Sequence, residues 1–288
     1  MAPSYRLKRE TLSCVDEHSE YKPIAIDQLK MTHYMRKAVE RFRKQPIHVS
    51  LPDYTKRLSV IVPYRHREAH LTIFPKVLRG YLQRQEIAYQ LLIIEQIDQK
   101  PFNRGMLINI GASLAMDACD YLCFHDIDML PEYSDYGFVD HPILLANHAS
   151  QFEEHSQHPS YFSGVVMFDK RDFQAVNGYS NQYWHWGYED DDLLMRSLVT
   201  GLAPIALRAG RYESLPHPKS ITQTADGEYH SDPKMVERLH RLYMRNKKRY
   251  KKMRRGLLDH QKDGLNSLKF DIVATEENAL YRKISVKL

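Results

Sequence analysis

The sequence predicts an α/β fold built on a Rossmann-like, doubly wound mixed sheet, and three features predict it. Apolar, β-branched runs alternate with helical patterns between residues 57 and 124, in the order strand, helix, strand, helix, strand that marks crossover-connected sheets. The last of these runs, Tyr121-Leu122-Cys123-Phe124, gives out into His125-Asp126-Ile127-Asp128, and in open α/β sheets ligands collect beyond the carboxyl ends of the strands. No Gly-x-Gly-x-x-Gly interrupts the segment, which argues against the dinucleotide-binding variety of this fold.

At 288 residues, 43% hydrophobic and 11% aromatic, the chain can bury a full core and is not disordered. Its longest apolar runs, 58–62 and 91–94, are strand-sized, short of the ~18 residues of a membrane span. The first thirty residues hold no apolar signal core. A soluble, cytoplasmic protein is expected. Cys14, Cys119 and Cys123 match neither a disulfide framework nor a zinc spacing and fit a reducing compartment. Charge is uneven: between Lys234 and Arg255 eleven Lys and Arg face the single Glu237, giving +10, and since the whole chain is +5 the remainder is −5.

In chain order, residues 27–43 read as an amphipathic helix that packs on the main domain. Residues 57–64 form the first strand. Arg65 and Arg67 follow it, just before a helix over 68–83, as a solvated turn or as partners for a phosphate or a base edge. A second strand covers 89–95, a helix 105–118 and a third strand 121–124, with Pro131 ending any ladder. Asp126 and Asp128, one residue apart among apolar neighbours, need a cation or hydrogen-bond donors to compensate them. Oxygen ligands suit Mg²⁺ or Mn²⁺, which suit a diphosphate; a polar loop is the plain alternative.

A strand over 161–168 and a short helix lead to Tyr183-Trp184-His185-Trp186-Gly187-Tyr188-Glu189-Asp190-Asp191-Asp192, which contains both tryptophans. The acids open a helix, whose dipole rewards each by ~0.3–1 kcal/mol, but four in succession also repel. Beside two indoles and a glycine they read as a sugar platform, aromatic faces for the ring and carboxylates for its hydroxyls. A strand at 204–207 precedes a loop with His217. Residues 232–255 form a helix with an apolar stripe under a basic face, either a solvated face or an attraction for an anionic glycan, a membrane surface or nucleic acid. Residues 265–270 and 281–286 read as a closing pair of strands.

Together Val62-Pro63-Tyr64-Arg65-His66-Arg67, Phe102-Asn103-Arg104, His125-Asp126-Ile127-Asp128-Met129-Leu130-Pro131, Trp184 to Asp192, and Asp263-Gly264-Leu265-Asn266-Ser267-Leu268 resemble the β-1,4-galactosyltransferases in order and spacing. The resemblance covers about residues 57–288. The stretch from His125 to Phe138 looks closest to the branch that galactosylates xylose in the proteoglycan linker.

The resemblance implies a GT-A nucleotide-sugar transferase fold, UDP-galactose as donor, Mn²⁺ as cofactor with Mg²⁺ as the alternative, and inversion at the anomeric carbon. It implies a division into an N-terminal helical extension (1–55) and a catalytic domain (56–288). That domain would comprise a donor-nucleotide half (56–131), an acceptor and metal half (132–230), the basic helix (231–255) and closing strands (256–288). Pro63, Tyr64, Arg65 and Arg67 would hold the uridine, with Arg104 nearby. Asp126 would lie on the ribose or sugar of the donor. Tyr161 stands where a tyrosine favours galactose over N-acetylgalactosamine, and Trp186 would close on the donor. Asp190 would be the catalytic base, its pKa open to elevation by the neighbouring acids, while Asp191, Tyr188 and Gly187 would meet the acceptor. Asp128 and His217 would bind the metal.

Three departures stand out. Ser214 occupies a usual metal-ligand position, and His185 and Tyr188 replace residues of a glycine-rich loop, which should stiffen it or reshape the acceptor pocket. The family's anchor and stem have no counterpart in the sequence, so a bacterial or otherwise non-Golgi member is expected. The expected partners are UDP-galactose and a saccharide acceptor, anionic if the basic helix takes part; peripheral membrane contact through that helix stays open, and no nucleic acid is expected. Two alternatives remain: a UDP-N-acetylgalactosamine donor, or a catalytically silent glycan- or polyanion-binding protein.

Overall fold

A computed structural model of the chain describes residues 20–24, 32–43, 47, 49–152, 161–216 and 232–288. The first segment supplies β1 (Tyr21–Pro23) and α1 (His33–Arg43); the start of the helix expected over 27–43 lies outside the described residues. The next elements are β2 (Leu58–Tyr64), α2 (Glu68–Arg84), β3 (Tyr89–Gln96), α3 (Arg104–Ala115, extended by a 3₁₀ turn) and β4 (Tyr121–His125), close to where the hydrophobic pattern puts them. β2 is buried at every position, as its unbroken apolar run requires of a central parallel strand.

β2 pairs in parallel with β3 on one side and β4 on the other. The chain therefore steps one way to β3 and back past β2 to β4. With right-handed crossovers this puts α2 and α3 on opposite faces and opens a crevice at the carboxyl ends of β2 and β4, where the strand order reverses. α3 lies on β2 and β3, so close that a Cβ on Gly111 would stand 2.4 Å from Ile61 Cγ2.

Pro131 does not end the ladder. β5 (Met129–Tyr133) runs through it, because β5 is an edge strand, where a missing N–H is tolerated. After β6 (Ile143–Leu144) and β7 (His148–Ala149), the strand expected over 161–168 is shorter: β8 is Val165–Asp169, since Gly164 at φ +78° breaks the extended run. α4 (Lys170–Ala175), α5 (Glu189–Thr200), β9 (Ile205–Leu207), β10 (Arg211–Ser214) and α6 (Pro233–Met253) follow.

The closing pair also shifts. Leu265–Ser267 is a 3₁₀ turn, and the strands are β11 (Asp271–Glu277) and β12 (Arg282–Lys287). The cause is local. A Cβ on Gly264 would lie 1.8 Å from the Asn177 carbonyl oxygen, and the Ser267 hydroxyl accepts from the Gly264 N–H at 3.0 Å, so the chain turns here instead of extending.

The main sheet has the order β1-β9-β6-β8-β4-β2-β3-β12-β11 and a smaller one the order β5-β10-β7. β8 pairs antiparallel to β4 and β12 parallel to β3, so the sheet is mixed. β1 pairs with β9, which builds this part of the N-terminal segment into the sheet, and α1 packs on α5. Phe124, Phe168, Phe173 and Tyr179 form an aromatic cluster with centroids 4.5–6.2 Å apart that fixes β4, β8 and α4. Each such buried ring contributes ~1.5–3 kcal/mol.

Candidate functional site

The carboxyl end of β4 is held from behind. His125 is fully buried; its Nδ1 lies 2.9 Å from the Asp126 carbonyl and its Nε2 2.9 Å from the Tyr136 hydroxyl. The Tyr212 hydroxyl, 3.0 Å from that of Tyr136 and 2.7 Å from Ser134 Oγ, ties this network to the small sheet. Burial lowers the His125 pKa to about 4, so the ring is a neutral brace. The Asp126 N–H donates to the Gly164 carbonyl at 2.9 Å, and the Met129 N–H donates to the Asp126 carbonyl at 3.2 Å, closing the turn.

Arg104, at the start of α3, donates from Nε to Asp126 Oδ1 at 2.8 Å, and its guanidinium lies 5.8 Å from the Tyr179 ring centroid. Burial works against its charge, but Asp126, Tyr179, Glu189 and Asp190 more than offset it. Arg104 Nη2 is buried without a hydrogen-bond partner among the described residues. Such an orphan donor is costly in a folded chain. Asp126 is raised by burial and by Asp128 and Asp190, against the pull of Arg104. The Tyr161 phenol is raised by burial, then by Asp126 and Asp190. Arg104, Asp126, Asp128, Tyr161, Glu189 and Asp190 thus share one electrostatic neighbourhood at the sheet's switch point.

The four acids of α5 divide. Asp192 is a structural anchor, not part of a sugar platform: it is ion-paired with Arg196 at 2.6 Å, both side chains 2% exposed, and accepts from the Tyr183 hydroxyl at 3.0 Å. Arg196 also donates to the carbonyl of Asp263 at 2.8 Å. Glu189 and Asp190 act on Arg104 and Asp126, while Asp191 lies toward Tyr250 and Arg254. Burial and Asp190 raise Glu189 to about 8, and burial and Asp190 raise Asp191 to about 7. Both raised carboxyls neighbour Asp190 in the chain.

The tryptophan loop is bent by backbone in the left-handed region: His185 at φ +67°, Gly187 at +98° and Tyr188 at +75°. The basic helix holds it there. Asn246, buried in α6, donates from Nδ2 to the carbonyls of Trp184 at 3.0 Å and Trp186 at 3.2 Å. Trp186, 50% exposed, stacks on Tyr243 with centroids 5.7 Å apart. Tyr188 stacks on Tyr250 at 5.5 Å, and its hydroxyl is 3.0 Å from that of Tyr243. In this structure Trp186 lies on α6.

Of the expected uridine residues, Pro63 and Tyr64 are buried members of β2. Arg65 donates to the carbonyls of Gln96 at 3.2 Å, Lys100 at 2.9 Å and Asp98 at 2.8 Å, which fixes the loop after β3. Arg67 is half-buried beside it and donates to the His66 carbonyl at 3.0 Å.

His217 lies outside the described residues, among which there is no group of three or more His, Cys, Asp or Glu that could hold a metal. The described chain does lead up to Asp128: the Leu215 N–H donates to the Asp128 carbonyl at 2.7 Å. Ser214 pairs with Met129 in the β5–β10 register, and its hydroxyl points at Met129 Sδ, 3.3 Å away.

Some supporting residues have no obvious sequence signal. Asn103, Asn109 and Asn181 are all buried. Asn109 donates to the Tyr179 carbonyl at 2.7 Å and to Asn181 Oδ1 at 2.9 Å, and Asn103 donates to the Asn181 carbonyl at 2.9 Å. Asp263 accepts from Arg249 at 2.5 Å and so joins α6 to the base of α5. The Asp263-Gly264 motif is thus a structural knot behind the site.

Comparison with known proteins gives a consistent picture. Residues 21–138 match the N-terminal region of glycosyl transferase group 7, and residues 145–218 match the N-terminal domain of galactosyltransferase. The chain is 32% identical over 246 residues to beta-1,4-galactosyltransferase 2 of Cricetulus griseus, covering 82% of this chain and 61% of the relative. It is 33% identical over 239 residues to beta-1,4-galactosyltransferase 5 of Mus musculus, covering 81% and 56%. The chain therefore spans about three fifths of the length of the curated relatives it matches. Among solved structures, the catalytic domain of Drosophila beta1,4galactosyltransferase 7 with xylobiose superposes with a TM-score of 0.62 at 24% identity, over 81% of this chain and 94% of that one. A mutant of the same enzyme with manganese, UDP-Gal and xylobiose gives 0.60 at 24%, with the same coverage.

Proposed function

This chain belongs to the group 7 glycosyltransferases, the family of the β-1,4-galactosyltransferases, and has the GT-A fold; on that premise we propose that it transfers galactose from UDP-galactose to a saccharide hydroxyl with inversion. The observation that carries the proposal is the meeting of Arg104, Asp126, Glu189 and Asp190, drawn from α3, β4 and α5, at the switch point of the sheet.

In this reading Asp190 accepts the proton of the attacking acceptor hydroxyl at its carboxylate, the single base an inverting transfer needs. Glu189 and Asp191, with carboxyls at about 8 and about 7, are protonated for much of the time near neutral pH, which limits the repulsion around that base. Arg104 holds Asp126 against the donor, and its orphan Nη2 is the donor for an oxygen of the nucleotide sugar. Tyr161 borders the galactose; Asp191, Tyr188 and Gly187 border the acceptor; Trp186 excludes water when it leaves Tyr243 for the donor. Arg67 remains for the uridine, with Arg65 positioning the loop beside it.

The divalent metal of this reading is assigned to Asp128 and to His217, which lies outside the described residues. Asp128 offers an oxygen ligand, Asp126 is occupied by Arg104, and His217 follows two residues after the Leu215 contact to Asp128. Oxygen and imidazole ligands suit Mn²⁺, with Mg²⁺ the harder alternative. Asp128 and His217 would hold the cation, which would supply positive charge against the departing diphosphate.

The acceptor reading is β-1,4 transfer to xylose or another sugar; a solved relative of the same fold is described with xylobiose. UDP release from UDP-galactose with Mn²⁺, over a panel of xylosides, glucosides and N-acetylglucosaminides, tests the proposal, with Asp190→Asn and Asp128→Asn alongside. Metal-dependent release that both substitutions abolish is expected. Release that survives Asp190→Asn removes the assigned base. Tyr161→Leu tests the alternative donor: a shift toward UDP-N-acetylgalactosamine is expected, and no shift would misplace that pocket.

A further inference from the structure

Six cations of α6, Lys234, Arg238, Arg241, Arg245, Lys248 and Lys252, follow one another at steps of three and four and are all exposed, so they stand on one face. At about 1.5 Å per residue they form a nearly straight row about 27 Å long. The one acid of the helix, Glu237, lies on the row's flank and is ion-paired with Arg241 at 2.5 Å; among the described residues the other five have no ion-pair partner. Side chains buried from this helix, Leu239, Asn246, Tyr250 and Met253, point to the other side, and two of them hold the tryptophan loop.

Resting on the transferase reading, we propose that this row binds an anionic polysaccharide, the part of the acceptor chain beyond the reacting sugar. The loop assigned to the acceptor rests on this same helix, at Tyr243, Asn246 and Tyr250, so a chain lying along the row passes over the helix that carries the loop. Its linear spacing suits a polymer of repeated carboxylates or sulfates, whose binding releases counterions in proportion to the cations engaged. A membrane surface is the weaker match, because a membrane-bound amphipathic helix buries its apolar face in lipid, and the stripe carrying Leu239, Tyr250 and Met253 is already buried in the domain.

The test uses the full chain and three samples: the parent, Arg238→Gln/Arg245→Gln/Lys248→Gln, and a control of equal charge change away from the row, Lys76→Gln/Arg79→Gln/Lys269→Gln. Binding to heparin, polygalacturonate, neutral dextran and vesicles with 30% phosphatidylserine is measured at two salt concentrations. The row variant should lose about tenfold or more in affinity for both anionic polysaccharides, the control under twofold, and dextran should not bind. Equal losses in both variants, or tighter parent binding to vesicles than to either polysaccharide, would overturn the proposal. Turnover of UDP-galactose onto the same panel of neutral xylosides, glucosides and N-acetylglucosaminides separates the two readings on the same samples. Turnover with equal polysaccharide binding by all three proteins overturns the row alone; its absence from all three overturns the transferase reading and the acceptor role built on it.

Discussion

Asn246 reaches out of α6 to hold Trp186 by its backbone, Nδ2 to carbonyl oxygen, at 3.2 Å, while Tyr243 on the same helix stacks under the indole. The conformation of the loop is therefore set by a helix sixty positions further along the chain. Asn246→Ala removes this bond and the one to Trp184, and should cost about 1–3 kcal/mol. Urea unfolding measures that cost, and a red shift of tryptophan emission should accompany it as Trp186 leaves Tyr243. Unchanged emission would mean that the ring stack alone fixes the loop.

His185 stands at φ +67°, a conformation that costs a non-glycine residue on the order of 1 kcal/mol. His185→Gly should relieve that strain, leave stability within about 1 kcal/mol of the parent, and speed amide exchange across 184–188. Tyr188→Gly has the same backbone advantage but removes the ring stacked on Tyr250, so it should destabilise by about 2–4 kcal/mol. Equal effects of the two changes on stability would contradict this division.

Breaking the Arg104–Asp126 pair isolates a carboxylate among others. Arg104→Met should cost about 2–4 kcal/mol, allowing for the partial exposure of Asp126. It should also weaken UDP-galactose binding at least tenfold. Adding Asp126→Asn should restore most of the stability and none of the binding, as read by thermal unfolding and calorimetric titration. Restored binding in the double variant would show that Arg104 serves only to neutralise Asp126.

Glu189 carries its carboxyl pKa from 4.5 up to about 8. Between those values the folded chain keeps a proton that the unfolded chain has released. The stability linked to it is fully present below the lower value and is lost as pH rises through the higher one. Glu189→Gln should therefore exceed the parent by about 1–2 kcal/mol at pH 9, after discounting for solvent screening, and differ by a few tenths at pH 5. Urea midpoints at the two pH values check this; the parent's slope persisting in the variant would place the titration on another group, Asp191 first.

The parallel core and the carboxylates at its edge were legible in the sequence because an apolar run that ends in charge marks both a buried strand and its exit. Arg65 was harder. A cation at a strand end reads alike whether it meets a phosphate or backbone carbonyls, and here it meets the carbonyls of Gln96, Asp98 and Lys100. The turn at 265–267 replaced an expected strand because Gly264 packs against Asn177, a contact no local pattern encodes. The hold of α6 on the tryptophan loop was equally hidden, since an apolar stripe does not say what it docks on. One clue existed: Asn246 sits seven residues after Leu239 and four before Tyr250, on the apolar side of a helix otherwise crowded with cations.

The parallel pairing of β12 with β3, which lets Ser285 Oγ donate to Glu95 Oε2 at 2.7 Å across 190 positions, bears on how the molecule is made. During synthesis β3 leaves the ribosome long before β12, so the growing chain carries an uncapped, aliphatic sheet border while most of its length is still being added. Closure over so long a loop is slow, and a bare strand border is where nascent chains stick to one another. Substitutions that weaken β12 are therefore expected to be felt first as aggregation during biosynthesis.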